Sequence, residues 1–396
     1  MDLIVFEDAA VDRFGPIVAM RHAAELRCGR HTMLDRCERL AVSVASLWGR
    51  AGVSAWAHDR IGRRVNEPVA GPARLLSARV VWEQLPTLDG DAVGVIDGVA
   101  VCVQMQDASS LRPEQLLAGE FPPLPRVDVA DCGWLAERPW DLVLGNGRQI
   151  AADCAELPAT HFSDPHVHCV GAAITIGEDV SIAPGVVLDS TPGPIWIGDG
   201  VTIKANATIE GPCVIGPGCT IQHHAQIHDG VTLGPRCKIG GEVEASIIQG
   251  FSNKQHYGFL GHSYLGEWIN LGAGCTTSDL KNTYGTVRVP IGPGGVELDS
   301  GSLFCGLTCG DYAKLGINTA VPTGAVIGVG SNVMGSRVPK HVPPMRWVVD
   351  GESSELDPAR AIEFARRMMS RRDRELTAAG ASLLEGCATS ESTTRP

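Results

Sequence analysis

The densest group of chemically capable side chains lies between residues 253 and 289: Asn253, Lys254, His256, His262, Tyr264, Asn270, Lys281, Asn282, Tyr284 and Arg288. A histidine titrates near neutral pH and can take a proton from an attacking nucleophile. Amides and backbone N–H groups can meet an oxyanion as it develops. Lysine and arginine give charge-assisted donors to a phosphate. The set suits proton abstraction beside a polar or anionic small molecule. A second group, His223, His224 and His228, invites a metal reading, because imidazole is a common metal ligand. A catalytic zinc site needs three protein ligands. The adjacent-coil positions that would supply a third, 205 and 241, hold Ala and Gly. These histidines, and Asp164, His166 and His168 with them, read as polar surface or as the lining of a cleft between subunits, and no metal is assigned.

The elements that must position these residues follow from a beat of six. Aliphatic residues recur at Ile176, Ile182 and Leu188, and then at Ile197, Ile203, Ile209, Ile215, Ile221, Ile227, Leu233 and Ile239. The beat returns at Leu265 and Leu271, and again at Leu303, Cys309, Leu315, Val321, Ile327 and Val333. A period of six fits neither an amphipathic helix nor a single alternating strand. It is the pattern of a parallel β-helix whose coils have three short faces, with the aliphatic side chain inward on each. Three hexads give an 18-residue coil, so 197–214, 215–232 and 233–250 read as successive coils. The beat breaks at 248–262 and at 278–300. Breaks of this kind read as loops on one side, and that side often binds something.

The flanking regions are less regular. Residues 1–160 read as a mixed α/β domain: Leu3 to Phe6 as a strand, 32–57 as partly helical, 79–83 and 92–105 as strands, 121–128 as a Pro-rich connector and WDLVL at 140–144 as a further strand. Residues 161–345 form the β-helix. Residues 346–396 form a C-terminal helix, with Asp357 as its cap and Pro358 at its first position, followed by a frayed tail. Arg366, Arg367, Arg371 and Arg372 read as its solvated face.

Composition excludes several classes. Hydrophobic residues are 44% of the chain, enough for a large core. The 47 glycines and only 5% aromatics suit a repetitive fold with tight turns. A net charge of -12 argues against general nucleic-acid or anionic-membrane binding. Thirteen cysteines without a repeated C-x-x-C pair fit a reduced, cytoplasmic compartment. The opening MDLIVFEDAAVDRFG carries acids inside its apolar run and is not a signal peptide.

The stretch GFLGHSYLGEWINLGAGCTT at 258–277 resembles the acetyltransferase half of bifunctional bacterial UDP-N-acetylglucosamine pyrophosphorylase/glucosamine-1-phosphate acetyltransferase. More of the chain, about residues 1–376, resembles the divergent GlmU-like family of sugar nucleotidyltransferases. That match rests on MRHAAELRCGRHT (20–32, with His22 where Pro is usual), PWDLVLGN (139–146), DLKNTYGTVRV (279–289) and GDYAKLGINT (310–319). The resemblance implies a divergent nucleotidyltransferase-like α/β domain, a left-handed parallel β-helix and a C-terminal α-helix, assembled as a homotrimer. It implies transfer of an acetyl or other acyl group from acetyl-CoA or another acyl-CoA to an amino sugar or sugar phosphate. His262 would be the catalytic base, with His256 in reserve. Asn270 would position the acceptor, and the Ala273 backbone would hold the thioester end of the donor. Lys254, Tyr264, Lys281 and Arg288 would contact the sugar or its phosphate. Asp279 stands where the family pattern has Asn, exchanging an amide donor for a carboxylate.

The N-terminal region departs from an active nucleotidyltransferase. After LIVF it has EDAAVDRFGP, with one Gly and no following Lys, and so lacks the run of close backbone N–H groups that cradles a phosphate. Retained nucleotidyl transfer would rely on Arg21, Arg27 and Arg30, with Glu25 or Asp35 holding Mg2+. The remaining alternative is a non-catalytic sugar-nucleotide-binding or scaffolding protein.

Overall fold

The computed structural model describes residues 1–41, 43–160 and 164–388. The tail beyond residue 388 lies outside the described residues. In the N-terminal domain the apolar run of strand Asp2–Phe6 is buried at the middle of a seven-stranded sheet. It pairs in parallel with Ser46–Trp48 on one side and Ala73–Ser77 on the other. The predicted 92–105 strands form an antiparallel hairpin, Ala92–Ile96 with Val99–Met105. Its two turn residues, Asp97 and Gly98, take left-handed φ values of 49° and 78°.

One predicted element changes type. WDLVL lies in the helix Pro139–Cys154. Pro139 fits the first helical position, and the Asp141 carboxylate accepts from the backbone N–H groups of Glu137 and Arg138. The apolar cluster that resembles a strand is one face of this helix, continued by Asn146, Gln149 and Ile150.

From His168 onward the chain winds into a prism with three parallel faces of six, nine and ten strands. The first face runs from His168–Val170 to Phe259–Gly261. The second runs from Ile174–Ile176 through Tyr264–Glu267 to His341–Val342. The third runs from Ser181–Ile182 through Asn270–Leu271 to Arg346–Val349, with Glu352–Glu355 added antiparallel. Ile203, Ile221 and Ile239 stack inward in register, all fully buried.

The register departs from the hexads in three places. Leu233 pairs with Ile248, three residues sooner than an 18-residue coil would place its partner. The 248–262 break is therefore no loop: Ile247–Gly250, Asn253–Lys254 and Phe259–Gly261 keep all three faces running through a shortened coil. The second break is a true excursion carrying a small hairpin, Arg288–Val289 with Leu298–Asp299, and Leu303 on it is exposed rather than inward. The third face also continues past 345, so the C-terminal segment begins as strand. It then forms two helices, Pro358–Ser370 and Ala378–Gly386, rather than one, with Asp373 at a left-handed φ of 54° between them.

The N-terminal domain packs on the second face. Asn146 takes Gly29 N–H on its carbonyl oxygen and gives its amide to Gly230 O and Thr232 Oγ1. Deeper in, Arg21 is fully buried and ion-paired with Asp311 and, at 3.6 Å, with Glu267. Arg60 bridges Glu25 (2.7 Å) and Glu267 (2.7 and 3.0 Å). Burial alone would raise the Glu267 carboxyl, but Arg60 and Arg21 outweigh it and hold the group down to about 2. A carboxylate depressed in the folded state contributes stability above its ordinary range and loses it as pH falls toward the folded value. Glu267 should therefore make urea midpoints of the full chain drop between about pH 4.5 and pH 2, offset in part by Asp311, whose carboxyl burial pushes up. Arg21→Met, which leaves buried carboxylates without their cation, should cost about 3–5 kcal/mol at neutral pH. A midpoint unchanged by the substitution would show that the cluster does not hold the domains together.

Candidate functional site

His262 sits at the edge between the first and second faces, just past the strand Phe259–Gly261. Its Nδ1 lies 2.8 Å from Asp279 Oδ2, and Phe304 stacks on its ring at 4.9 Å between centroids. The two partners are 17 residues apart, one coil along the same edge. His262 has a left-handed φ of 43°, a conformation that histidine tolerates better than most residues. Its backbone is fixed on both sides: its N–H donates to Glu244 O and its carbonyl accepts from Gly306 N–H. Asp279 and Phe304 are held by the root of the excursion, where Leu280 bridges Phe304 and Cys305 N–H donates to Asp279 O. The excursion is held in turn by Val287 and Val289, which pack with Cys305 and Val326 against Trp140 of the N-terminal domain. With Nδ1 turned to the carboxylate, Nε2 is the ring nitrogen left to accept a proton.

Gly261 is required by this pair. A Cβ at that position would lie 2.2 Å from Asp279 Oδ2 and 2.5 Å from the Phe259 ring.

The other predicted residues fall elsewhere. Ala273 lies on the edge between the third and first faces, where its carbonyl accepts from Asn318 N–H, with exposed His256 one coil away. The width of the first face separates this edge from His262. Asn270 lies on the third face. Its Oδ1 is 3.4 Å from Asn253 Nδ2, and in register with Asn253 and Lys314 it forms a ladder under the C-terminal segment. Arg372 bonds Asn253, and Lys314 lies over the Phe364 ring. The second face intervenes between Asn270 and His262, so a single chain does not bring them together.

Lys254 occupies an inward position, in register with Ile239. Its ammonium donates to the carbonyls of Gly240, His256 and Gly258, and burial pushes it down to about 8. All three donors are spent inside the prism, so Lys254 is a core cation and not a phosphate contact. Tyr264 is also buried: its hydroxyl accepts from Arg27 N–H and lies within bonding distance of Gln249 Oε1, in the domain interface. It does not face a sugar. Lys281 donates to Thr286 O and exposed Arg288 pairs with Glu297, both on the excursion. Phe304 was missed because nothing in its spacing marks it. The pairing of Asp279 with His262 was readable in principle from the one-coil separation.

Among the described residues the N-terminal candidates are not gathered into one site: Arg30, for instance, lies over the Trp196 ring. In open α/β sheets ligands bind beyond the carboxyl ends of the strands. Here that crevice is filled by the chain's own ion pairs, Glu7 with Arg50 and Asp8 with Arg79. Glu25 accepts from His22 N–H and Arg60, and Asp35 accepts from Thr32 N–H as part of a helix cap, so neither faces a shared cavity with free oxygens to offer a metal. Arg21 and Arg27 point into the β-helix interface. His228 is paired with Glu210 and Glu242, and among the described residues no group of three His, Cys, Asp or Glu is arranged to hold a metal. No helix among the described residues is long and apolar enough to cross a membrane.

Residues 3–161 match a family model described as sugar nucleotidyl transferase. Residues 194–229 and 212–244 match the bacterial transferase hexapeptide model of six repeats. No curated protein matches the chain. Solved structures with likeness to it include UDP-N-acetylglucosamine acyltransferases from Arabidopsis (13% identity, 54% of this chain and 80% of that one, TM-score 0.33) and from Campylobacter jejuni (13% identity, 56% and 94%, TM-score 0.31). A third is a putative acetyltransferase from Bacillus cereus (15% identity, 57% and 98%, TM-score 0.22). The chain thus joins a nucleotidyltransferase-like α/β domain to a hexapeptide-repeat β-helix of the transferase type.

Gly261→Ala should separate His262 from Asp279. Loss of the downfield Nδ1–H proton signal of His262, with the fold retained, is the expected NMR result. A persisting signal would mean that the coil can shift to admit a methyl group.

Proposed function

We propose that the chain is an acyltransferase that moves an acetyl or other acyl group from an acyl-CoA to an amine on a sugar or sugar phosphate. The single observation that carries this reading is the His262–Asp279 contact of 2.8 Å at an edge of a hexapeptide-repeat β-helix. The donor supplies a carbonyl already activated as a thioester. His262 Nε2 takes the proton of the attacking amine as the new C–N bond forms and the C–S bond breaks, and it returns that proton to the departing thiolate. Asp279 holds the imidazole in one tautomer and balances its transient charge. The donor would lie across the first face, between the Ala273 edge and the His262 edge. The role given to Asn270 has no support from its position within one chain. A homotrimer, as the resemblance implies, would have to form around the first face, because the N-terminal domain covers the second.

His262→Ala should lower turnover by about 100-fold or more with donor binding intact, and Asp279→Asn by about tenfold. The assay screens amino sugars, their phosphates and their nucleotide conjugates with acetyl-CoA. Near-normal turnover in His262→Ala would refute the base assignment.

We further propose that the N-terminal domain covers the β-helix and does not transfer nucleotides, a reading supported by the ion pairs that fill its crevice. Incubation with nucleoside triphosphates, Mg2+ and sugar 1-phosphates should release no pyrophosphate above background. Robust release dependent on the protein would overturn it.

A further inference from the structure

The third face of the prism changes character below the C-terminal helices. Its outward side chains there are Thr202, Thr220 and Lys238 in one register column, with Lys204 and Gln222 beside them, all partly exposed. Where the helix Pro358–Ser370 ends, Arg372 reaches this floor. It donates at 2.7 Å to Asn253, the next residue of the column after Lys238, and Arg236 and Arg372 each donate to the other's backbone carbonyl at 3.0 Å. Arg371 and Arg236 are exposed at the margin.

Five cations thus lie together in a chain of net charge -12. Among the described residues none of the five is ion-paired with a carboxylate. Burial and the charges of Arg372, Arg371 and Lys204 all push the Lys238 ammonium below its ordinary range, and no carboxylate acts against them. The dipole at the end of a helix favours Arg371 and Arg372, but it gives no reason for Lys204, Arg236 and Lys238, which belong to the prism. Their donors are also largely unspent. Lys204 gives one proton to Gln222 Oε1 at 3.0 Å, and Lys238, Arg371 and the hydroxyls of Thr202 and Thr220 make no side-chain hydrogen bond among the described residues.

A surface of this kind suits an anion rich in acceptor oxygens. The cations are strung along the prism rather than gathered round a point: Lys204 and Lys238 stand two coils apart, about 10 Å along the axis at the usual strand spacing. A ligand with two linked phosphates meets more of them than a single phosphate does. The floor has no aromatic ring on which a base could stack, and the net charge of the chain repels a long polyanion, so a small metabolite fits better than a nucleic acid.

We propose that this part of the third face binds the diphosphate group of a small metabolite, with Lys204, Lys238 and Arg372 as its main cations and Arg236 and Arg371 at the rim. The site lies on a different face from the His262 edge and does not depend on the acyl-transfer reading.

The test titrates the full chain calorimetrically at low salt with pyrophosphate, ADP and inorganic phosphate. At least one of the two diphosphates should bind saturably and more tightly than inorganic phosphate. Lys238→Glu should weaken that binding about tenfold or more, and Arg371→Glu, at an exposed position, should weaken it in the same direction. Arg39→Glu, an equal change of net charge on the other domain, should leave it unaltered. Tighter binding of ADP would assign a nucleotide as occupant, and equal or tighter binding of pyrophosphate would assign the free diphosphate. No saturable binding of either at millimolar concentration, inorganic phosphate binding as tightly as both, or a loss in Lys238→Glu no larger than in Arg39→Glu would overturn the proposal. If Lys238→Glu fails to fold, the comparison of Arg371→Glu with Arg39→Glu decides.

Discussion

The fold depends on one buried cluster of charge. Arg21 and Arg60 come from the N-terminal domain and Glu267 and Asp311 from the β-helix; Arg21, Glu267 and Asp311 are buried, and Arg60 is half-buried at the edge of the cluster. Taking such groups out of water is costly, and only close pairing offsets the cost. The interface therefore forms only when the arginines and carboxylates of the two domains meet together. The cluster also explains the motifs. Arg21 lies in MRHAAELRCGRHT, Glu267 in the LGEWINLGAG stretch and Asp311 in GDYAKLGINT. Three segments that a sequence comparison treats as separate signatures are one contact in space.

A second line of contact runs from that interface to the candidate base. Trp140 packs on Val287 and Val289, these pack with Cys305, and Cys305 N–H donates to the carbonyl of Asp279. The excursion is thus pinned at its root by the β-helix and along its length by the other domain. This tethering keeps Asp279 and Phe304 against the His262 ring. The N-terminal domain takes part in the site without lending it a residue that touches the imidazole.

Much of this was legible in the chain. The hexads located the prism and its inward residues, because an aliphatic side chain at each face is what stacking coils require. The beat could not reveal the shortened coil after Leu233, since the residues are lost at the corners between Ile239, Val243 and Ile248 and a lysine takes the next inward position. Lys254 hid for the same reason: a lysine in a polar stretch looks solvent-facing until its register with Ile239 is known. WDLVL misled because a short apolar cluster fits a strand or one helical face, and the deciding cue was Pro139 with Asp141. For the site, residue type pointed to His262. The meaning of Asp279 needed the third dimension, because a carboxylate in place of an amide reads as a lost contact until its partner is seen beside it.

The length of chain between the partners of the central cluster sets an order of events. Arg21 and Asp311 are 290 residues apart, whereas neighbouring coils of the prism join residues about one coil apart. A ribosome releases the N-terminal segment first, and domains begin to fold as they emerge. Arg21 must then wait for Glu267, and for its closer partner Asp311 until most of the prism has been synthesised. The coils can wind one upon another as they appear, each templated by the last. The two halves cannot close fully before Asp311 has been made, and the C-terminal helices, which pack on Met20 and Trp56, seal them after that; a chain cut short before Asp311 would leave Arg21 without its closer partner on a half-finished surface.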